Sequence, residues 1–365
     1  MITKLVLENL KHKPMRTLLS ILLIGVPVTL ILSLVGVSEG LSRDSQNRAR
    51  AIGADIVIRG STATVITNSS AASLDERYVP ALEKQPHVKL AMGVIVHSID
   101  FPLTMMGVDM AEFNAMSGGF TYLSGGPLEG PDDALLDKTY ADQTGKRVGD
   151  TMQLLGHDWH VAGIVEGGKL AHVIVQKRTL QKLVSATGMV TNIFVKLDDP
   201  SRADEVVQQL RRLLPNLKIH TMAFYTSTLT ASNIKQVRVF TYVVIGIGVV
   251  IGFAVVCLSM YMAVLQRTRE IGILKSLGGS KLFILRTILT EAAVLAVFGT
   301  ICGIILSYGA CWAISTFIPA SFPMVIVHAW WPKAGLITLL GTEFGALYPG
   351  FNAASHDAIE ALAYE

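Results

Sequence analysis

Two places in the chain have residues suited to chemistry. Gly278-Gly279-Ser280-Lys281 has the glycines and lysine of a loop that cradles phosphate, and His157-x-x-His160 has the look of a metal-binding pair. A phosphate loop needs G-x-x-x-x-G-K-S/T after a strand and before a helix. Here Leu282 follows Lys281, no strand precedes, and the full pattern occurs nowhere in the 365 residues. The chain is therefore expected not to hydrolyse ATP itself. The two histidines have no third ligand at workable spacing, and in a strand residues three apart point to opposite faces. They read as hairpin histidines. Within residues 42–235 neither G-x-S-x-G nor H-E-x-x-H occurs. Asp132-Asp133 and Asp198-Asp199 stand beside proline or glycine and read as turn residues. Nothing there forms an enzyme active site.

The elements around these residues are dominated by apolar runs. The composition is 51% hydrophobic and 16% charged, where a soluble domain has about a quarter of its residues charged. The apolar residues collect at 17–41, 237–265, 283–318 and 329–348. The first three exceed the roughly 20 residues that cross a bilayer as a helix. The fourth is shorter and contains Glu343. The expected architecture is a membrane protein of four transmembrane α-helices, with a large mixed α/β extracytoplasmic domain at 42–235 between the first and second. The first run is too long for a signal-peptide core and is expected to be retained. Cys257, Cys302 and Cys311 all fall in the apolar runs, so no disulfide framework is expected outside.

Loop charge sets the orientation. Lys4, Lys11, Lys13 and Arg16 precede the first run, and Arg267, Arg269, Lys275, Lys281 and Arg286 lie between the second and third. The positive-inside rule puts an amphipathic N-terminal helix at 1–16 and the link at 266–282 in the cytoplasm. The outer domain and the link at 319–328 then lie outside, and the tail at 349–365 returns inside. Residues 39–238 carry 21 basic and 21 acidic side chains. That balance gives no electrostatic preference for a charged cargo, and no feature of the chain points to nucleic acid.

In the outer domain, "ADIVIRG", "VKLAMGVIV", "FPLTMMGV", "TNIFVKL" and "LKIHTM" read as strands. Ser73-x-x-Glu76 and Ser201-x-x-Asp204 read as capping boxes opening helices. The second helix should present Val206, Val207, Leu210, Leu213 and Leu214 on one face. Between these two units, about 126–190, short strands such as "TMQLL" and "HVAGIVE" read as a β-rich insert. Both flanks of the domain have helical propensity and could continue the first two spans outward as stalks. A domain held at both ends by membrane helices suits transmitted motion better than chemistry.

The link "QRTREIGILKSLGGSK" reads as a short helix with an apolar strip of Ile271, Leu274 and Leu277. Arg267, Glu270 and Lys275 fall off the strip, and Gly278-Gly279 ends the helix. Amphipathicity serves two uses equally. The helix could lie on the bilayer with its basic side chains snorkelling, or it could dock a partner.

The segment "RTREIGILKSLGGSKLFILRTILTEAAVLAVFGTICGI" resembles the stretch between the second and third spans of the MacB/FtsX-type ABC transporter permeases. Arg267, Glu270, Ile271, Gly272, Lys275, Leu277, Gly278, Glu291, Gly299 and Gly303 match the pattern those permeases show there. "LVLENLKHKPMRTLLSILLIGV", "VGDTMQLLGHDWHVAGIVE" and "GALYPGFNAASHDAIEALAYE" resemble the family's start, a strand pair of its periplasmic domain and its close. Phe351-Asn352 replaces the usual basic pair, and Ala358 and Ala363 stand where proline and arginine are common.

The resemblance implies a permease subunit in the cell inner membrane, with both termini cytoplasmic, working as a homodimer or beside a paralogous permease. A separate ABC ATPase subunit would bind ATP and magnesium, and this chain would bind no cofactor. The coupling helix would be Arg267, Arg269, Glu270, Ile271, Gly272, Leu274, Lys275, Leu277 and Gly278, seated in a groove of the ATPase. Glu291 and Glu343 are candidate intramembrane functional residues, since carboxylates at that depth are costly. The implied output is motion of the periplasmic domain that exports or extracts a lipopeptide, a lipoprotein or an amphipathic toxic compound. A periplasmic adaptor or outer-membrane component is a further implied partner. The alternative output is activation of a cell-wall hydrolase or signalling partner without transport.

Overall fold

The computed structural model describes residues 14–60, 74–100, 103–169, 171–229, 235–266, 272–273, 276, 280–318, 320 and 322–355. The chain divides into two compact units. One, the helical unit, comprises residues up to Val37, Val239–Ala313 and Val325 onward. The other, the outer domain, comprises Ser38–Arg238 and Ile314–Met324.

Long helices supply the helical unit. Helix α1 runs Pro14–Arg50 as one element, with Pro27 inside it removing one backbone hydrogen bond, and takes in the flank expected as a stalk. Two of the long helices, at Thr17–Arg50 and Lys281–Phe317, are long and apolar enough to cross a membrane, and the helix at Lys235–Gln266 carries a shorter apolar stretch, Tyr242–Leu258. Glycines set how closely these helices approach. A Cβ on Gly299 would lie 2.5 Å from Ile24 Cγ2, and one on Gly303 would lie 2.8 Å from the Gly25 carbonyl oxygen. The Thr29 hydroxyl donates to the Gly303 carbonyl at 3.1 Å.

The outer domain is built on one ten-stranded mixed sheet. Its strands are β1 Ile56–Arg59, β3 Val88–Asp100, β4 Leu103–Val108, β5 Tyr122–Gly125, β6 Asp133–Asp137, β7 Thr151–Leu154, β8 His157–Val165, β9 Val173–Gln176, β11 Asn192–Leu197 and β12 Lys218–Thr221. A two-residue pair, β2 Leu74–Asp75 with β10 Met189–Val190, lies apart from it. The order is β12-β1-β11-β3-β4-β9-β6-β8-β5, with β7 also on β8. Strand β3 joins two half-sheets. Its first part pairs β11 as far as Val94, and from Ile95 it pairs β4. Strands β6, β7, β8 and β9 of 126–190 thus continue the same sheet through the pairing of β9 with β4, while β10 does not.

Short helices cover the faces. Helix α2 (Tyr78–Glu83) buries Val79 and Leu82 against β3, and a helix at Ala203–Leu213 buries Val206, Val207 and Leu210 in the same core as β1, β11 and β12. Leu213, expected on the same buried face, is 56% exposed. Leu214, one residue on at the helix end, is partly buried against the same core. Helix α4 (Lys138–Thr144) follows β6 directly, with Asp137 as its N-cap. The end of α1 supplies Ala49, with Ile52 and Ala54 just beyond, to the core that holds Met92, Phe113 and Phe194.

Neither expected capping box forms. Ser73 lies outside the described residues, Leu74–Asp75 is a strand, and α2 starts after Arg77 with no side-chain cap. At the second position Asp199 accepts from the Ser201 N–H and opens a 3₁₀ turn at Pro200–Arg202, ahead of the helix at Ala203. Proline suits that first turn because it has no N–H to leave unpaired.

Candidate functional site

Most of the expected coupling helix lies outside the described residues: Arg267, Arg269, Glu270, Ile271, Leu274, Lys275, Leu277 and Gly278. Gly272, Ile273 and Ser276 are described and helical, with Gly272 buried and Ile273 exposed. The Ser276 hydroxyl donates to the Ile273 carbonyl at 2.8 Å. Ser280 of the glycine–serine–lysine stretch has a structural task. Its Oγ accepts the Phe283 N–H at 3.2 Å, as an N-cap does, at the start of α9 (Lys281–Phe317).

The two intramembrane candidates differ in burial. Glu291, on α9, is 6% exposed and lies beside Ala292. Glu343, on α10 (Trp331–Ser355), is half-buried, on the turn that buries Thr342 and Ala346. Gly36-Val37-Ser38-Glu39-Gly40 matches the nucleophile-elbow pattern, yet it lies wholly within α1. That motif needs a strained strand-to-helix turn to expose its serine.

His157 and His160 stand on β8 and each takes its own aspartate. His157 Nε2 lies 2.9 Å from Asp132 Oδ1, and His160 Nδ1 lies 3.2 Å from Asp133 Oδ1. Asp133 also accepts the N–H groups of Gly130 and Glu129. Burial pushes the Asp133 pKa up, and these bonds outweigh it and hold the carboxyl below its usual range. Among the described residues no group of three potential metal ligands gathers.

The most developed polar cluster escaped sequence reasoning. Arg48, in the last turn of α1, donates from Nε to Asp44 and from Nη2 to Asp137, each at 2.7 Å. Asp137 is 0% exposed. Its other oxygen accepts the Tyr140 N–H and the Thr139 hydroxyl, both at 2.8 Å, so one carboxylate caps α4 and holds α1. His172 closes the cluster: its carbonyl accepts the Asp137 N–H at 2.9 Å. Burial, and then the Arg48 charge, lowers the His172 ring pKa to about 4. Removing one member of such a buried pair costs about 3–5 kcal/mol, because the other is left uncompensated. The Asp44–Arg48 spacing of four is visible in sequence, whereas Asp137 is 89 residues away.

A second buried ion explains Glu76. Instead of capping a helix, its carboxylate meets Lys177 Nζ at 2.8 Å and accepts from Gln181, and Glu112 lies 3.3 Å from the same ammonium.

Residues 17–213 match the family described as MacB-like periplasmic core domain, and residues 242–357 match the FtsX-like permease C-terminal family. The chain belongs to the MacB/FtsX-type permeases. Among relatives, it is 27% identical to the macrolide export ATP-binding/permease protein MacB of Hahella chejuensis, covering 96% of this chain and 58% of that protein. The Escherichia coli MacB is 25% identical over the same shares. The ABC transporter permease YknZ of Bacillus subtilis is 40% identical over 123 residues, 33% of this chain and 30% of that protein. The chain thus spans about 58% of the length of these MacB relatives. Among solved structures, the periplasmic region of MacB from Actinobacillus actinomycetemcomitans matches at 16% identity and TM-score 0.39, covering 49% of this chain and 94% of that one.

Proposed function

We propose that this MacB/FtsX-type permease is a four-span inner-membrane subunit, with both termini in the cytoplasm, that turns ATP hydrolysis by a partner ATPase into motion of its outer domain. The single observation carrying this reading is α1. It is one helix from Pro14 to Arg50, and its last turn is held in the outer domain by the Arg48–Asp137 pair and by buried Ala49. A single helix passes displacement along its axis, and a buried ion pair at its end resists slipping.

On this reading the ATPase, with ATP and magnesium, docks at Arg267–Gly278. Two permease chains, identical or paralogous, complete the transporter. The output is export or extraction of an amphipathic substrate, such as a lipopeptide, a lipoprotein or an amphipathic toxic compound. The relatives, a macrolide export ATP-binding/permease protein and an ABC transporter permease, support an export role.

Replacing Glu270 and Leu274 together with alanine tests the docking surface. The expected outcome is loss of co-purification with the ATPase and of permease-dependent ATP turnover. Full retention of both would sink the assignment. Deletion of the permease is expected to retain substrate in the membrane. A fall in wall-hydrolase activity with substrate distribution unchanged would replace export by regulation.

A further inference from the structure

We infer that the link between α9 and α10 is a third coupling element of the outer domain, with Gly40, Gln143 and Ala320 as its positioning residues. This rests on the mechanical reading above and adds a route to it besides the two flanks.

Residues 314–324 join two helices, yet they belong to the compact unit formed by the outer domain. Ala320 is 4% exposed and belongs to the core that contains Trp159 and Tyr140. Connecting segments normally run over the surface, because a buried backbone must find hydrogen-bond partners. Here Gln143, on α4, provides one: its Oε1 accepts the Ala320 N–H at 3.0 Å.

The same link is pressed against α1. A Cβ on Gly40 would collide with the Pro323 carbonyl oxygen, so no other residue fits without moving the backbone. Glycine within a helix costs about 1 kcal/mol relative to alanine, and this close approach is what the missing side chain permits. Two residues on, the Val325 N–H donates to the Gly36 carbonyl at 3.2 Å.

Helix α4 closes the figure. Its cap Asp137 holds Arg48 of α1, and its Gln143 holds the link. Three contacts therefore connect α1, the link and α4 in a ring. A single contact can pivot, whereas three contacts joining three segments resist shear. Only Ile318 and Pro319 separate the end of α9 at Phe317 from Ala320 in sequence, which limits their separation to about 10 Å. Displacement of α9 is thereby delivered to α4 and to the half-sheet of β6, β8 and β9.

The test uses the full permease with its ATPase subunit in phospholipid vesicles, read by hydrogen exchange with and without ATP, magnesium and vanadate. In the unaltered complex, exchange across α4 is expected to change on trapping. Gln143→Leu is expected to raise basal exchange there about fivefold, as for one lost buried hydrogen bond, and to remove the change on trapping. Gln143→Glu keeps the acceptor and is expected to restore both. Gly40→Ala, which favours the helix itself, is expected to remove the change by pushing Pro323 away. If trapping still alters α4 at full size in both Gln143→Leu and Gly40→Ala, the link is not a coupling element, while the mechanical reading stands. If the unaltered complex shows no change anywhere in residues 38–228, the mechanical reading itself fails and takes the link with it.

Discussion

The helical unit and the outer domain pack by opposite means. In the outer domain the fully buried side chains are large: Trp159, Phe113, Phe194, Ile56 and Met92. In the helical unit Gly299 and Gly303 lie where an added methyl would strike a neighbouring helix, and large apolar residues face outward, including Leu30 at 56% exposure, Val250 at 66% and Ile305 at 65%. Water makes the difference. Burying a large apolar side chain away from water stabilises by about 1.5–3 kcal/mol. Against lipid that gain is absent, so helices associate through close backbone contact at small residues. An outward apolar surface of this kind would be an aggregation hazard in water, and a bilayer removes the hazard. The outer domain is therefore sensitive to lost volume, and the helices to added volume.

The largest expected effect tests the first half of that statement. Trp159 is 0% exposed on β8, with its indole N–H donating to the Leu154 carbonyl at 3.2 Å. Trp159→Ala is expected to cost the outer domain about 3–5 kcal/mol. Hydrogen exchange of β6, β8 and β9 in the full chain would measure it. Exchange unchanged in those strands would show that the half-sheet does not depend on this core.

A smaller effect tests the second half. Gly299→Ala places a methyl against the Ile24 side chain, and Gly303→Ala places one 2.6 Å from Val28 Cβ and 2.8 Å from the Gly25 carbonyl oxygen. Each is expected to cost about 1–3 kcal/mol by overpacking, read as lost thermal stability in detergent. The two should differ in rescue. Ile24→Gly removes both atoms that Gly299→Ala strikes, Cγ2 and Cβ, and is expected to recover most of the clash, whereas Ile24→Ala leaves Cβ 2.7 Å away and is expected to recover only part. Trimming Val28 leaves the Gly25 backbone in place, so Gly303→Ala is expected to recover less. Equal rescue would mean that side chains, and not backbone approach, set the helix spacing.

Legibility in the sequence followed the range of the interaction. Strand β1, the long β3 and the buried Val206, Val207 and Leu210 were readable, because their apolar pattern repeats within a few residues. Family membership was carried by a dense local motif around Glu270 and Gly278. The capping boxes failed for distant or competing reasons. Glu76 is taken by Lys177, about a hundred residues on, and Asp199 sits just ahead of Pro200 and outcompetes Ser201. The joining of the half-sheets through β3 depends on pairing with β4 on one part and β11 on the other, and no local pattern encodes that. Arg48–Asp137 and Ala320–Gln143 were hidden likewise, since one arginine or alanine looks like any other until the fold brings its partner. The expected coupling residues other than Gly272 lie outside the described residues, so their placement rests on sequence.

The smallest expected effect sharpens the comparison at the one ionic contact where α1 enters the outer domain. His172 has its pKa lowered to about 4 by burial and by Arg48, with Asp137 and Asp44 acting in the opposite direction. In the unfolded chain the ring titrates near 6.5. Below that value the unfolded state takes up a proton that the folded state refuses, so stability is lost as pH falls from about 6.5 toward about 4 and is unaffected above this window. Between pH 7 and pH 5.5 the expected loss is about 1 kcal/mol. Hydrogen exchange of β6 and α4 in the full chain should therefore quicken as pH is lowered, after correction for intrinsic rates. His172→Gln removes the titrating group, and the pH slope should flatten even if absolute stability drops. Unfolding of the helical unit, which does not contain His172, should show no slope that His172→Gln removes. A slope of the same size in His172→Gln would show that His172 is not its source.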